Sequence, residues 1–223
     1  MKIRNKYLTA VSVYRFTICI ALFILFVSFA TLLVHRGIRN KRYEVGLKTS
    51  LYILNEALVF VNFLPAIQDV GNDGYYSYLI DTLNTKFDST NCRYSSKPVC
   101  ASVDYKTLNG KAVMSDLIFD KGERISIGNA LFLLNKPKFP TSPVIIIVDT
   151  NGAGSEPNKL GYDVFVFQII KTKLRAMGNK ESLYPLEKYF YYCPEHSTSK
   201  DRLLGVNCTY EALTNQKYFS KLK

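Results

Sequence analysis

The feature that most constrains this chain is an uncharged apolar run, FTICIALFILFVSFATLLV, from Phe16 to Val34. As a helix its nineteen residues would span roughly 28 Å, about the thickness of the hydrocarbon core of a bilayer. A buried core helix rarely stays apolar on every side for this length. A cleaved signal peptide would have a shorter core and a small-residue cleavage site, whereas HRGIRNKR follows here. The run therefore predicts a transmembrane helix over residues 16–34, preceded by an N-terminal segment, residues 1–15.

The basic charge of the chain is concentrated around this run. The chain has 29 Lys and Arg against 18 Asp and Glu, a net charge of +11. Residues 1–48 hold nine of the basic residues and a single acid, Glu44. A nucleic-acid-binding domain would carry its charge on its folded face, so we expect a membrane partner and no nucleic acid. The slightly larger basic excess after the run leans, by the positive-inside rule, towards an N-terminus outside the cell.

The cysteines favour the opposite orientation. Cys19 lies in the apolar run, and the other four follow it as two pairs that are close in sequence: Cys92 with Cys100, and Cys193 with Cys208. This spacing predicts two short-loop disulfides, which form in an oxidising compartment. Four free thiols are the alternative. A zinc site is less favoured, because there is no C-x-x-C motif and only His196 adds a second ligand type nearby.

The helix is expected to continue beyond the membrane. No proline occurs between Val34 and Pro65, and apolar residues recur at steps of three and four: Tyr43, Leu47, Leu51, Leu54, Leu58 and Val61. This is one apolar stripe at helical period. We predict a single helix from about Phe16 to about Asn62, whose second half, within residues 35–64, is amphipathic. Two helices with a hinge near Gly37 are the alternative.

Residues 65–223 predict a small α+β domain. A helical pattern covers Tyr75–Phe87, and strand signals cover four segments: Asp116–Phe119, Arg124–Ile127, Pro143–Val148 and Val164–Ile170. The first two flank residues 120–123, which predict a hairpin turn with Gly122 in the left-handed position. The last two are rich in β-branched residues and predict a central antiparallel pair. Residues 171–223 look rich in loops. The expected fold is a long N-terminal helix packed on a small antiparallel sheet.

The segment between the two strong strands, DTNGAGSEPNKLGYD, allows two interpretations. Asp, Asn and Gly favour turns, so the segment is consistent with a fixed structural link. The same residue types also suit an oxygen-ligand cage for a hard cation such as calcium, formed by four side chains: Asp149, Asn151, Asn158 and Asp163. It is not an EF-hand loop, because Leu160 stands at the twelfth position, where a bidentate acid is needed. We favour the turn, because Pro157 and the glycines suit a fixed loop without an ion.

Three features resemble type IV pilin-like proteins, including the pseudopilins of type II secretion systems. They are the membrane helix running on into RYEVGLKTSLYILNEAL, the segment IIIVDTNGAGSEPNKLGYDVFVF, and the C-terminal stretch ending GVNCTYEAL. The resemblance implies a pilin-like fold in the bacterial inner membrane, with a single pass, a cytoplasmic N-terminus and a periplasmic domain. It implies a structural subunit of a type II secretion or type IV pilus-like assembly. Its partners would be other pilin-like subunits or secretion-machine proteins.

The chain departs from this family at the processing site. Such proteins usually carry Gly-Phe-Thr-Leu-x-Glu at the head of the membrane helix. Phe16 and Thr17 match, but Arg15 stands in place of the Gly and Ile20 in place of the Glu. We therefore expect no cleavage before Phe16. The alternative function is a single-pass membrane protein whose pilin-derived periplasmic domain binds a partner and does not polymerise.

Nothing in the sequence favours an enzyme. His196, the only histidine after the helix, lies in the polar stretch CPEHSTSKD, and no nucleophile, zinc-protease or phosphate-loop motif is present. The sequon Asn207-Cys208-Thr209 contains a cysteine that we expect in a disulfide, so we interpret it as a chance match. We predict no catalytic residues, no small-molecule substrate and no certain cofactor.

Overall fold

The structure is a computed structural model that describes residues 2–64, 71–114, 122–170, 172–185, 187–194 and 197–222. The chain divides into two compact units. Residues up to Lys41 form the first unit, and Arg42–Leu222 form the second, which we call the domain.

A single helix, α1, runs from Lys2 to Asn62. It continues through Gly37, so the alternative with a hinge there is wrong. Between residues 16 and 34 its large apolar side chains are exposed, and an apolar window on this helix has a mean hydropathy of 2.7 with none of it buried. By length and composition, α1 is the one helix in the described part of the chain that is able to cross a membrane.

The domain half of α1 buries the predicted stripe. Five of its six residues are buried and Leu51 is half-buried. The stripe packs in the same core cluster as strand residues such as Phe132 and Phe167. The amphipathic pattern is therefore confirmed, although the helix ends at Asn62 and not at residue 64.

The remaining elements form one antiparallel sheet with short helices around it. The strands are β1 Ser89–Asn91, β2 Gly122–Ile127, β3 Ala130–Asn135, β4 Val144–Asp149, β5 Val164–Ile170 and β6 Lys173–Ala176, and they lie in the sheet in chain order. The other α-helices are α2 Asn72–Lys86, α3 Cys208–Thr214 and α4 Tyr218–Lys221. Single 3₁₀ turns cover Cys92–Tyr94, Pro98–Cys100 and Phe190–Tyr192. The predicted α+β class, with a long helix packed on an antiparallel sheet, is confirmed.

The central strands are buried on both faces. Alternate residues of β4 and β5, such as Ile146 and Phe167, belong to the core shared with α1 and α2. The residues between them, such as Ile147 and Val166, belong to a second core with Tyr105. This two-sided burial explains why the strands are continuously apolar and show no alternation.

The strand predictions were correct in the centre of the sheet and incomplete at one side. β4 pairs antiparallel with β5 as expected, with Val148 opposite Phe165. The turn predicted at residues 120–123 is wrong, because Gly122 and Glu123 already belong to β2. The chain turns instead at residues 128–129, where Gly128 adopts a φ of +60°. The predicted strand at 116–119 lies outside the described residues.

Two regions contain more regular structure than the sequence indicated. Strand β3, with the sequence ALFLLN, is buried along its whole length, and such a short apolar run does not distinguish a strand from a helix. Residues 172–222 were expected to be mainly loop, yet they contribute β6, α3 and α4.

Candidate functional site

Four of the predicted site residues lie in the loop between β4 and β5. Asp149 is the last residue of β4 and pairs across the sheet with Val164, the first residue of β5. Thr150 closes the loop, because its backbone N–H and its hydroxyl both donate to the Asp163 carbonyl, at 2.8 and 3.0 Å. Both ends of the loop are therefore fixed by the centre of the sheet.

Helix α1 packs directly on this loop. A Cβ atom added at Gly46 would lie 2.8 Å from the Thr150 Cβ, so only a glycine allows this separation. One turn earlier, the Tyr43 hydroxyl donates to the Glu156 carbonyl at 3.5 Å. The loop is thus covered by the buried face of the helix.

Asp163 organises the loop through its carboxylate. Its Oδ2 accepts the Asn158 backbone N–H at 2.9 Å, and its Oδ1 accepts that of Lys159 at 2.7 Å. The side chain is fully buried. Burial raises the pKa of Asp163 to about 6, although these backbone hydrogen bonds act in the opposite direction.

Asp149 lies on the other side of the same loop. Its Oδ1 accepts the Asn151 backbone N–H at 3.3 Å, and its Oδ2 accepts the Tyr105 hydroxyl at 3.1 Å. It is also fully buried. The pKa of Asp149 is raised to about 8, mainly by burial and secondly by the negative charge of Asp163. The negative charge of Asp163 therefore disfavours the ionisation of Asp149.

Two asparagines complete the group. The Asn151 Nδ2 donates to the carbonyls of Ser155 and Glu156, at 3.3 and 3.2 Å, and that of Asn158 donates to Ala153 at 3.1 Å. The Oδ1 atoms of both asparagines are buried without a hydrogen-bond partner. The structure thus brings all four predicted side chains into one group, which we call the loop cluster: Asp149, Asn151, Asn158 and Asp163.

The loop cluster combines features of both interpretations. The bonds from loop backbone amides to Asp149 and Asp163 are those expected of a fixed turn. The two unpartnered amide oxygens are not explained by a turn. Two lysines at the loop have other partners, because Lys106 pairs with Glu156 at 3.5 Å and Lys159 lies over the Tyr162 ring at 3.7 Å. Within the described ranges, no group of three or more His, Cys, Asp and Glu side chains is placed to hold a metal.

The four downstream cysteines form two disulfides, Cys92–Cys100 and Cys193–Cys208, the pairs expected from their spacing. The second connects the segment before residue 194 to the start of α3. Helix α3 is itself anchored to the sheet, because the Thr209 hydroxyl accepts the Val166 backbone N–H at 2.8 Å. Cys19 is free and exposed on α1.

The other residues singled out in the sequence are not part of the loop cluster. Arg15, Phe16 and Ile20 lie on α1 with exposed side chains. His196 lies outside the described residues. Asn207 is fully buried and donates to the Tyr189 carbonyl at 3.0 Å, so this fold leaves no room for a glycan on the sequon.

Sequence reasoning missed Tyr105 and Gly46, which contact the loop from opposite sides. Tyr105 stands in a polar stretch without periodicity, so no pattern marked it. Gly46 lies inside the helical pattern between Tyr43 and Val61, and a glycine at such a position can mark close packing. Comparison of the chain with protein-family models, with curated proteins and with solved structures found no match.

Proposed function

We propose that this protein is a membrane-anchored, pilin-like structural subunit of a type II secretion or type IV pilus-like assembly. Its transmembrane helix would lie in the bacterial inner membrane and its domain in the periplasm. The observation that carries the proposal is α1 itself. One uninterrupted helix is exposed and apolar over residues 16–34, and then buries a single stripe against an antiparallel sheet.

The outer face of α1 supports packing against other helices. Val45, Tyr52 and Val59 are exposed by 52%, 62% and 48%, and they follow one another at seven-residue intervals. Residues seven apart lie close to one line along a helix, so these side chains offer a narrow exposed apolar strip to a neighbouring helix. Phe63, exposed by 82%, extends this surface beyond the end of the helix. We call these four residues the outer stripe.

The disulfides support a periplasmic domain. Cys92–Cys100 and Cys193–Cys208 both lie in the domain, and disulfides form in oxidising compartments and are rare in the cytosol. The basic residues after the apolar run favour the opposite orientation only slightly, because basic residues also precede it.

A second function is favoured by the head of the membrane helix. Arg15 and Ile20 stand where the resemblance expects the Gly and the Glu of a processed, polymerising subunit. In this second function the chain keeps the anchor and the domain, is not cleaved before Phe16, and acts alone as a binding module.

Cross-linking through Cys19 distinguishes the two functions. Cys19 is exposed on α1, and the other four cysteines of the chain are in disulfides, so mild oxidation of native membranes forms an intermolecular bond only at this position. Packing of α1 helices from different subunits predicts a cross-linked dimer, which Cys19→Ser abolishes. A chain that remains monomeric under oxidation at its native expression level would contradict the subunit function and favour the isolated module.

The outer stripe provides a second, independent readout. Tyr52→Glu places a charge in the stripe and should reduce the Cys19 cross-link, whereas Asn55→Glu adds the same charge at an exposed position outside it. Equal cross-linking by both variants would show that the outer stripe takes no part in assembly.

Orientation needs its own measurement. Lys138 is exposed in the domain, so Lys138→Cys in a Cys19→Ser background should react with a membrane-impermeant maleimide in cells whose outer membrane has been permeabilised. Labelling only after the inner membrane is broken would place the domain in the cytoplasm and refute the proposed orientation.

A further inference from the structure

We infer that the basic residues after the apolar run bind the phosphate groups of anionic phospholipids, in the leaflet on the side where the domain lies. We call these four residues the basic collar: Arg36, Arg39, Lys41 and Arg42. The inference rests on the membrane placement of α1 in the proposed function, and it adds a class of ligand that this function does not specify.

The first step is charge. Residues 35–48 contain five Lys and Arg and a single acid, Glu44, a net charge of +4. Glu44 pairs at 2.5 Å with Lys48, which lies one turn further into the domain. Four of the five basic residues belong to the basic collar and precede this acid. The helix therefore carries a concentrated positive charge directly after the apolar run, and such a charge attracts anions.

The second step is position along the helix. α1 continues without a break from the apolar run through the basic collar. At 1.5 Å per residue, the basic collar extends from about 3 Å to about 12 Å beyond Val34. The polar layer of a bilayer is roughly 5–8 Å thick on each side of its apolar core. Because Lys and Arg carry their charge at the end of a long flexible stem, all four charges are within reach of this layer.

The third step is the distribution of the charges around the helix. Successive helix residues are about 100° apart, so the widest gap between neighbouring members of the basic collar is about 140°. A protein partner would contact one face of the helix, whereas lipids surround a membrane helix on every side. Ile38 lies among the basic residues and is 60% exposed. Apolar and basic side chains together are typical of a segment at the membrane interface.

The fourth step is the chemistry of the ligand. Three of the four residues in the basic collar are arginines, and a guanidinium group donates two parallel hydrogen bonds to a phosphate. Phosphatidylglycerol has a net negative charge, whereas the choline group of phosphatidylcholine neutralises its phosphate. The basic collar should therefore select phosphatidylglycerol over phosphatidylcholine.

The experiment uses the full-length protein purified in detergent. The protein is equilibrated in mixed micelles that contain equal amounts of phosphatidylglycerol and phosphatidylcholine, then captured, and the bound lipids are quantified by mass spectrometry. We expect phosphatidylglycerol to be enriched at least about threefold over phosphatidylcholine at about 0.1 M salt. The enrichment should fall towards one at about 1 M salt, where charges are screened within roughly 3 Å.

Three variants assign the enrichment to the basic collar. Glutamine at all four positions removes the charge but keeps good helix formers, so the enrichment should be lost: Arg36→Gln, Arg39→Gln, Lys41→Gln and Arg42→Gln. Lysine at the three arginine positions keeps the charge and should keep most of the enrichment. The matched control changes four exposed lysines of the domain and should bind lipid like the wild type: Lys138→Gln, Lys173→Gln, Lys180→Gln and Lys200→Gln.

Three results would overturn the inference. Equal amounts of the two lipids on the wild-type protein would show that the basic collar does not select an anionic ligand. Enrichment that persists in the glutamine variant of the basic collar would place the anionic lipid elsewhere on the chain. Loss of enrichment in the lysine variant, to the same extent as in the glutamine variant, would show that positive charge is not the cause.

The failure of this inference is distinguishable from the failure of the proposed function. Extraction of native membranes with alkaline carbonate tests the membrane placement alone. Release of the protein would refute the membrane anchor, and with it the inference about the basic collar. A protein that stays in the membrane but shows no selectivity between the two lipids would refute only the inference.

Discussion

The two halves of α1 are both largely apolar, but they differ in how their apolar residues are arranged and in their surroundings. Residues 16–34 carry apolar side chains on every side, and these are exposed. Between residues 43 and 61 the apolar side chains form a stripe, which is buried against the sheet, and an outer face where charged residues such as Lys48 alternate with the outer stripe. The arrangement of apolar residues along the helix therefore distinguishes the part that a protein core covers from the part that stays exposed.

The largest effect is expected from a matched pair of alanine substitutions, one in each half of α1. Leu54 is fully buried, whereas Leu25 is 67% exposed. Leu54→Ala should lower the free energy of unfolding of the domain by about 2–5 kcal/mol, because it removes buried methyl groups and leaves a cavity. Leu25→Ala should leave domain unfolding unchanged. Denaturant titration of both variants in detergent checks this, and equal losses would mean that the two halves do not differ as described.

The next largest effect is a pH dependence of stability that arises in the domain alone. In the folded state the pKa values of Asp149 and Asp163 are raised to about 8 and about 6, from an ordinary value near 3.8. Because the folded state binds these protons more tightly, stability is highest at low pH and is lost as pH rises through each folded pKa. Asp149 faces Asp163 and the Tyr105 hydroxyl.

With EDTA present, stability should therefore fall by about 2 kcal/mol between pH 6 and pH 8 through Asp149 alone. Asp149→Asn should remove most of this slope. Chemical unfolding at several pH values measures it. If the stability of the wild-type protein does not change between pH 6 and pH 8, or increases with pH, Asp149 is ionised in the folded protein across this range.

The sequence was sufficient to predict the parts of the fold with a strong pattern. The apolar run, the stripe from Tyr43 to Val61 and the β-branched pair β4 and β5 each show a clear periodicity or composition. Strand β3 was missed because two-sided burial removes the alternation that marks a strand. The turn before it was misplaced because Gly122 looked like a turn residue, although it lies within β2 opposite Asn135.

The four side chains of the loop cluster were also predictable, because they lie within fifteen residues of one another. Their environment was not. The loop is contacted by Tyr43, Gly46 and Tyr105, which lie far away from it in sequence, and Tyr105 bonds Asp149 directly. A sequence pattern gives residue types and spacing, but the desolvation that raises a pKa is set by such long-range packing.

A smaller effect is expected at Gly46, where α1 approaches the loop. The added methyl group of Gly46→Ala would meet the Thr150 Cβ at 2.8 Å, so the helix or the loop must shift. Overpacking of this kind typically costs about 1–3 kcal/mol, and alanine's better helix propensity returns up to about 1 kcal/mol. We expect a net loss of about 1–2 kcal/mol in denaturant unfolding. A stabilised variant would mean that α1 is not tightly apposed to Thr150.

The smallest effect is expected at Gly37, the matched glycine in the other half of the helix. A Cβ atom added there meets nothing within 4 Å. Gly37→Ala should therefore show only the gain in helix propensity, about 0.5–1 kcal/mol. Hydrogen exchange of the backbone amides around residues 37–41, followed by mass spectrometry in detergent, should slow by about two- to fivefold, with domain unfolding unchanged. Faster exchange would show that the glycine is needed as a flexible point between the two halves of α1. A loss of domain stability would show instead that the two halves are coupled through this position, which would weaken the distinction between the exposed half of the helix and the half that the domain covers.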